Sequence, residues 1–172
     1  MKIVRTFITG LYSFKYEGQE LNELERLFDD WSDYEFLEDF FENHKNDLAY
    51  FELTVETAVE ETINEANFLD KLLLDISESK FRTLDAIFKP LNDLEFREVI
   101  LSKQKAKRRW LRLYAVKIEP NYYVITGGSI KLTHKMQERE HTQNELYKLE
   151  KCRQYLQSEG IFDLDSFNEL DI

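Results

Sequence analysis

Seven basic residues and a single acid, Glu98, lie in the stretch from Arg97 to Arg112. Aromatic residues interleave with them at Trp110 and Tyr114. Guanidinium and ammonium groups neutralise phosphates, and aromatic rings stack on unpaired bases. This mixture predicts binding of single-stranded RNA in preference to duplex DNA. The predicted RNA-binding residues are Lys103, Lys105, Lys107, Arg108, Arg109, Trp110, Tyr114 and Lys135. The alternative is a charged hairpin loop at 103–109 beside aromatic rings that serve only to pack a sheet.

Arg112 is the most informative of these residues. Residues 109–118 alternate as a strand does, which places Trp110, Arg112 and Tyr114 on one face. Leu111 and Leu113 then lie on the opposite face. Because a buried and unpaired cation is costly, an arginine in mid-strand requires either a carboxylate partner or an open groove. The pattern leaves both open.

A second group of candidates follows at Lys131, His134, Lys135, Arg139 and His141. Cleavage of a phosphodiester without a metal needs a base, an acid and cations that stabilise the developing charge, and these side chains supply all three. In the alternative, alternation groups His134 with two apolar neighbours and makes it a core residue. Three His and one Cys predict no zinc site, and we expect no metal and no cofactor. The sequence contains no Ser-His-Asp arrangement, P-loop or dinucleotide-binding glycine motif.

The elements that position these residues follow from periodicity. We expect the helix at 55–76 to pack on the Leu111 and Leu113 face, and we expect Gly127-Gly128 to form a turn. The predicted strands are 97–101, 109–118, 121–126 and a strand or hairpin within 2–16. Helices are predicted from Glu20, from a capping box at 32–35, over 55–76 behind Thr54, and behind a second capping box that starts at Thr142.

A chain of 172 residues with 42% hydrophobic content predicts one domain. Residues 1–95 hold an N-terminal strand and helices with net charge −14, and 96–137 hold a basic meander. A C-terminal helix at 141–158 and an acidic tail at 159–172 follow. Because residues 96–158 carry a net charge of +8, we expect one contiguous positive surface. The lone cysteine and the lack of a long apolar run or signal peptide predict a soluble cytoplasmic protein that does not enter membranes.

Four short motifs occur in the second half of the chain: Phe88-Lys89-Pro90-Leu91, Phe96-Arg97-Glu98, Trp110-Leu111-Arg112-Leu113-Tyr114 and the run from Tyr123 to Lys131. Together with the order of elements, these motifs resemble the RelE/ParE/HigB superfamily of type II toxin–antitoxin toxins. The resemblance covers about residues 85–157. Arg97 matches a family arginine, Arg112 the mid-strand arginine, Lys131 a lysine of the family's lysine pair, and Glu145 an acid near a helix start.

The resemblance implies an α+β fold, a small twisted antiparallel sheet with helices packed on one face and a concave face opposite. Here the sheet would carry an elaborated acidic helical N-terminal half. The implied function is metal-independent mRNA cleavage at the ribosome, neutralised by a cognate antitoxin. Arg97, Arg112 and Lys131 would hold the scissile phosphate, while His134 or His141 would transfer protons. The alternative hypothesis is a non-catalytic member, ParE-like or inactive, that binds a protein partner. A third hypothesis is a globular domain whose charged surface has no specific function.

Overall fold

The computed structural model describes residues 1–78, 82–91, 101–170 and 172. Within these ranges the strands form one open, six-stranded sheet in the order β1-β2-β6-β5-β4-β3. Neighbouring strands are antiparallel, except that β2 and β6 run parallel. The strands are β1 (Lys2–Arg5), β2 (Leu11–Lys15), β3 (Lys89–Pro90), β4 (Ser102–Arg108), β5 (Leu111–Glu119) and β6 (Tyr122–Ile130).

The predicted antiparallel meander forms the centre of this sheet. β4 pairs with β5 and β5 with β6, so the order predicted for the strands over 109–118 and 121–126 is confirmed. No strand was predicted where β4 lies; the basic residues at 103–109, for which a hairpin loop was one interpretation, belong largely to this strand. The strand predicted at 97–101 lies, except for Leu101, outside the described residues. The predicted hairpin within 2–16 is present as β1 and β2.

The helices begin close to where their capping residues predict. Asp33 caps the second helix through Phe36 N, and Thr54 caps the longest through Thr57 N at 3.1 Å. The last long helix begins at Glu140, so the capping box predicted from Thr142 is wrong; the Thr142 hydroxyl instead donates to the carbonyl of Met136. The helices are α1 (Glu23–Ser32), α2 (Tyr34–Asn43), α3 (Lys45–Leu48), α4 (Val55–Glu78), α5 (Leu84–Ile87), α6 (Glu140–Ser158) and α7 (Leu164–Asn168).

Helices pack on both faces of the sheet, which corrects the expectation of helices on one face. One core joins α1, α2 and α4 to the face of β5 that carries Leu111 and Leu113, as predicted for α4. The second core joins α6 and α7 to the opposite face through Tyr114, Val116 and Ile118. Since every residue from Val124 to Ile130 is buried, β6 is apolar on both sides and requires both layers.

Gly127 and Gly128 lie inside β6, so the predicted turn at this pair is wrong. The reason is close approach on each face. A β-carbon on Gly127 would stand 2.0 Å from the Glu145 carboxylate of α6. One on Gly128 would stand 2.6 Å from the Arg112 carbonyl and 2.8 Å from Leu27 of α1. Glycine at these positions therefore marks helices packed directly against the strand.

A buried ionic cluster ties α1 to α6 beside this glycine pair. The side chain of Glu23 in α1 reaches Lys148 of α6. Its carboxylate, 0% exposed, accepts bonds from Arg26 at 2.9 Å and Lys148 at 2.6 Å. Burial alone would raise the pKa of Glu23, but these bonds outweigh it and lower the pKa. Glu145 shares Lys148 at 3.3 Å, and burial raises the pKa of its carboxyl.

These opposite shifts predict opposite effects of neutral substitutions. Glu23→Gln at neutral pH should lower the free energy of unfolding by about 2–3 kcal/mol, since two cations lose a charged partner while staying partly exposed. The stability from Glu23 is lost as pH falls through its lowered pKa, so the difference from wild type should shrink below its ordinary pKa of 4.5.

The matched variant is Glu145→Gln. A raised pKa means that ionised Glu145 costs stability at neutral pH, so this substitution should leave the free energy of unfolding unchanged or increase it. Denaturant unfolding of both variants at neutral and acid pH measures the contrast. Equal losses in the two variants would contradict the assigned charge states.

Candidate nucleic-acid interface

A polar cleft of about 920 Å³ opens on the sheet face that carries Arg112. Its floor is formed by β4, β5 and the residues after β6. One wall is the segment from Asn46 to Phe51, which includes a short 3₁₀ turn at Ala49–Phe51. The other wall is the segment from Thr133 to Arg139, just before α6. The cleft therefore joins a part of the acidic N-terminal half to the basic meander.

Strand register brings four cations to the floor of this cleft. Lys107 pairs with Arg112, and Arg112 pairs in turn with Ser129, so the three side chains share one face. Lys105, two residues before Lys107, lies on the same face. The backbone N–H of Lys131 donates to Trp110 at 2.7 Å, which extends the register by one pair and adds Lys131 to that face. Arg112 and Lys131, two predicted site residues that are distant in sequence, therefore line the same cleft.

Three of these cations are half-buried and repel one another. Burial lowers the pKa of Lys105, and the charges of Arg112 and Lys107 lower it further. Burial also lowers the pKa of Lys131, with Arg112 and Lys105 acting in the same direction. Burial lowers the pKa of Arg112. A folded protein holds like charges together at a cost, and a bound anion would relieve it.

The same three cations are held by carbonyl oxygens and not by carboxylates. Lys105 Nζ donates to Leu91 at 2.9 Å, and Arg112 Nη1 donates to the carbonyls of Arg109 at 2.6 Å and Leu111 at 2.8 Å. Lys131 Nζ donates to the carbonyls of Thr133 and His134. Across the described residues, none of the three forms an ion pair with an acid. Their positions are fixed while their charge stays available to an anion.

Three of the other predicted cations are paired with acids. Arg108 binds Glu65 of α4 and stacks over Phe68, and Arg109 binds Glu61 at 2.5 Å. Lys103 binds Glu150 at 2.6 Å. The expected separation of one positive surface from the acidic half is therefore wrong, because acids of α4 lie beside the turn between β4 and β5.

The aromatic rings predicted to stack on bases are buried. Trp110 is 2% exposed, and its Nε1 donates to Thr62 in the core at 2.9 Å. Arg109 adopts a left-handed conformation with φ of 48°, which interrupts the alternation and turns Trp110 into the α4 layer. Tyr114 is 1% exposed and its hydroxyl bonds to Ser129 at 3.1 Å. Neither ring can stack on a base, and both predictions are corrected.

The two predicted histidines have different surroundings. His134 is exposed and lines the cleft. The ring of His141 packs edge-on against the stacked rings of Phe40 and His44, at centroid distances of 5.2 and 5.0 Å, and its Nε2 donates to the Ile130 carbonyl at 2.8 Å. Burial lowers the pKa of His141. The structure therefore brings His134 together with Arg112 and Lys131, and it places His141 in a packing role. Lys135 is exposed outside the cleft lining, and Arg97 lies outside the described residues.

Two cleft residues were missed by the sequence reasoning. Asp47 joins the walls by a bidentate pair with Arg139, whose Nε lies 2.7 Å from Asp47 Oδ2. The hydrogen bond from Arg139 lowers the pKa of Asp47, although burial opposes it. Tyr50 stands in the first wall with 79% of its surface exposed. Neither residue was singled out from the sequence, because periodicity gives no sign of a contact between residues 92 positions apart, such as that of Asp47 with Arg139.

Comparison of the chain with protein-family models, with curated proteins and with solved structures finds no match. Within the described ranges, no group of three or more His, Cys, Asp and Glu side chains is arranged to hold a metal ion. None of the helices described combines the length and the hydropathy that crossing a membrane requires. The case for a function therefore depends on the cleft and on the motifs in the sequence.

The repulsion in the cleft predicts how its cations respond to substitution. Lys131→Met should leave the free energy of unfolding within about 1 kcal/mol of wild type or raise it, because it removes a like charge and keeps most of the side chain. Pyrophosphate at constant ionic strength should raise the melting temperature of wild type, and by much less that of the variant. Lys71→Met, which changes an exposed lysine on α4, is the control and should respond like wild type. Equal pyrophosphate shifts in Lys131→Met and wild type would show that the cleft holds no anion.

Proposed function

We propose that this protein is a RelE/HigB-like toxin, a metal-independent endoribonuclease that cleaves mRNA at the ribosome and is neutralised by an antitoxin. The observation that carries the proposal is the group of three half-buried cations, Lys105, Arg112 and Lys131, which lie on one face of the sheet and form no ion pair with an acid among the described residues. Burial and repulsion within the group lower the pKa of Lys105 and of Lys131, although the charge of Glu138 partly opposes the shift at Lys131. A phosphodiester supplies the negative charge that this arrangement lacks. The resemblance of residues 85–157 to the toxin superfamily supplies the reaction.

The proposed chemistry uses the side chains in and beside the cleft. The 2′-oxygen of the substrate attacks phosphorus as the bond to the 5′-oxygen breaks, and the 2′-hydroxyl loses a proton while the leaving oxygen gains one. Arg112 and Lys131 contact the non-bridging oxygens of the phosphate and stabilise the negative charge that accumulates there in the transition state. His134 faces the same space and is the candidate for proton transfer. The proposed role of Arg97 in binding the phosphate depends only on the family resemblance.

The proposed antitoxin would act on the same charges. An acidic segment of a partner protein that occupies the cleft would neutralise Lys105, Arg112 and Lys131 and exclude RNA at the same time. Such a partner needs to provide carboxylates at the floor, since the walls already contain the ion pair between Asp47 and Arg139. Competition between RNA and the antitoxin for one cleft follows from this arrangement.

A second function is favoured by one specific observation. Proton transfer in this reaction needs a base and an acid, yet among the described cleft-lining residues His134 is the one imidazole, because His141 is bound to Ile130. A non-catalytic member of the same fold would bind its target through the cleft and cleave nothing. In that case the cations serve recognition alone.

Induced expression in a bacterial host distinguishes the two functions. Wild type should arrest growth and produce new transcript ends within coding sequences. Arg112→Ala should restore growth, with loss of one transition-state cation lowering the cleavage rate on the order of a hundredfold. Lys71→Ala is the control and should arrest growth as wild type does. Arrest without new transcript ends would establish the non-catalytic alternative, and growth unaffected by wild-type protein at verified expression would contradict the toxin proposal.

A further inference from the structure

Tyr50 is the most exposed large hydrophobic or aromatic residue among those described, and it lines the cation cleft. We propose that its ring stacks on an unpaired base of the RNA strand whose phosphate lies against Arg112 and Lys131. Stacking would make the cleft selective for single-stranded RNA. This inference rests on the function proposed above and names the substrate form that the site recognises.

The backbone at Tyr50 is fixed, while its ring contacts Phe51 and stays largely exposed. Glu52 closes the 3₁₀ turn with a left-handed conformation, φ 55°, and a hydrogen bond from its N–H to the Ala49 carbonyl at 3.1 Å. Behind the turn, the ring of Phe51 lies 5.5 Å from that of Tyr50 and 5.4 Å from that of Trp110. Because Trp110 is anchored in the core, this row of rings holds the wall in place.

The wall is also tied to the opposite side of the cleft. Asp47, three residues before Tyr50, pairs with Arg139 on the second wall. An aromatic ring carried by a rigid segment loses little conformational freedom when it stacks, which favours binding. The segment that carries the Tyr50 ring is therefore held by the Phe51 and Trp110 rings on one side and by the pair of Asp47 with Arg139 on the other.

Exposure alone would not assign a role, since single exposed aromatic residues are ordinary. Tyr34, exposed by 46%, lies near the acids Glu38, Glu56 and Glu60 and away from the cleft. Tyr50 differs because it shares a cleft with Lys105, Arg112 and Lys131. Cations along a groove combined with an exposed ring are the features that hold single strands, in which the phosphate binds the cations and the base stacks.

The size of the cleft is compatible with a base beside the phosphate. Sites that enclose whole small molecules measure about 300–1,000 Å³, and this cleft measures about 920 Å³. The two aromatic rings first expected to stack, Trp110 and Tyr114, are buried, so Tyr50 is the exposed ring in the described lining that can take that role. Paired bases in a duplex have no free face to offer it.

The test compares the binding of three RNAs by fluorescence anisotropy at low salt. The probes are a short unstructured RNA, the same backbone with abasic sites, and a duplex of equal length. Tyr50→Ala should weaken binding of the unstructured RNA about 5- to 100-fold. It should leave binding of the abasic and duplex RNAs unchanged, while Tyr50→Phe, which keeps a stacking ring, should bind like wild type. Tyr34→Ala is the matched control and should also bind like wild type.

Arg112→Ala separates failure of this inference from failure of the proposed function. If Arg112→Ala weakens all three RNAs while Tyr50→Ala weakens none, the phosphate site stands and the role of Tyr50 in base stacking is overturned. The exposed Tyr50 ring would then be assigned to contact with a protein partner. If wild type binds no RNA at low salt, both proposals are overturned. If Tyr50→Ala weakens the abasic and unstructured RNAs equally, the ring does not act through a base, and the inference fails as well.

Discussion

The arrangement on which the proposed site depends is the enforced proximity of Lys105, Arg112 and Lys131. Three like charges on one half-buried face destabilise the fold, and burial of each makes the repulsion stronger. The strands hold them because apolar contacts on both faces of β5 and β6 supply the compensating free energy. Hydrogen bonds from the three cations to backbone carbonyls then fix the positions of the charged groups. Protein folds accept such local cost mainly where a ligand or a reaction uses it.

The acidic N-terminal half has a defined place in this account. Its carboxylates pair with cations of the basic half: Glu61 with Arg109 and Asp47 with Arg139 in the cleft lining, and Glu65 with Arg108 outside it. The net effect is selective neutralisation, which removes positive charge from the rim and leaves it on the floor. A chain with net charge −11 can therefore carry a compact site for an anion.

Local pattern was enough to predict the strands over 109–118 and 121–126 and the long helix α4, because each depends on alternation or helical period. The strand Ser102–Arg108, which pairs with Arg112, was not predicted. Local pattern failed where a contact between distant segments decides the outcome. Gly127 and Gly128 looked like a turn, since nothing in the sequence shows that α1 and α6 press on them from opposite sides. Trp110 was predicted on the Arg112 face but packs against α4, because the left-handed residue Arg109 before it interrupts the alternation.

The candidate site was predicted in part for the same reason. Charge and residue type singled out Lys105 and Arg112 in one stretch and Lys131 and His134 in another, and only the family resemblance placed Arg112 with Lys131. The fold brings all four into the lining of one cleft. His141 could not be separated from them, since its packing against Phe40 and His44 joins α2 to α6. Asp47 and Tyr50 gave no signal, because a wall of the cleft is built from a segment whose role appears only in the tertiary structure.

The most direct test of the central claim is the salt dependence of single-stranded RNA binding. If the open cations on the cleft floor contact phosphates, the logarithm of the binding constant should fall linearly with the logarithm of salt concentration, with a slope of about −2 or steeper. The slope should become shallower by about 0.7 in Lys131→Ala, since each lost phosphate contact removes that much for single strands. Binding that does not change between about 50 and 200 mM salt, or a slope that Lys131→Ala leaves unaltered, would contradict the account.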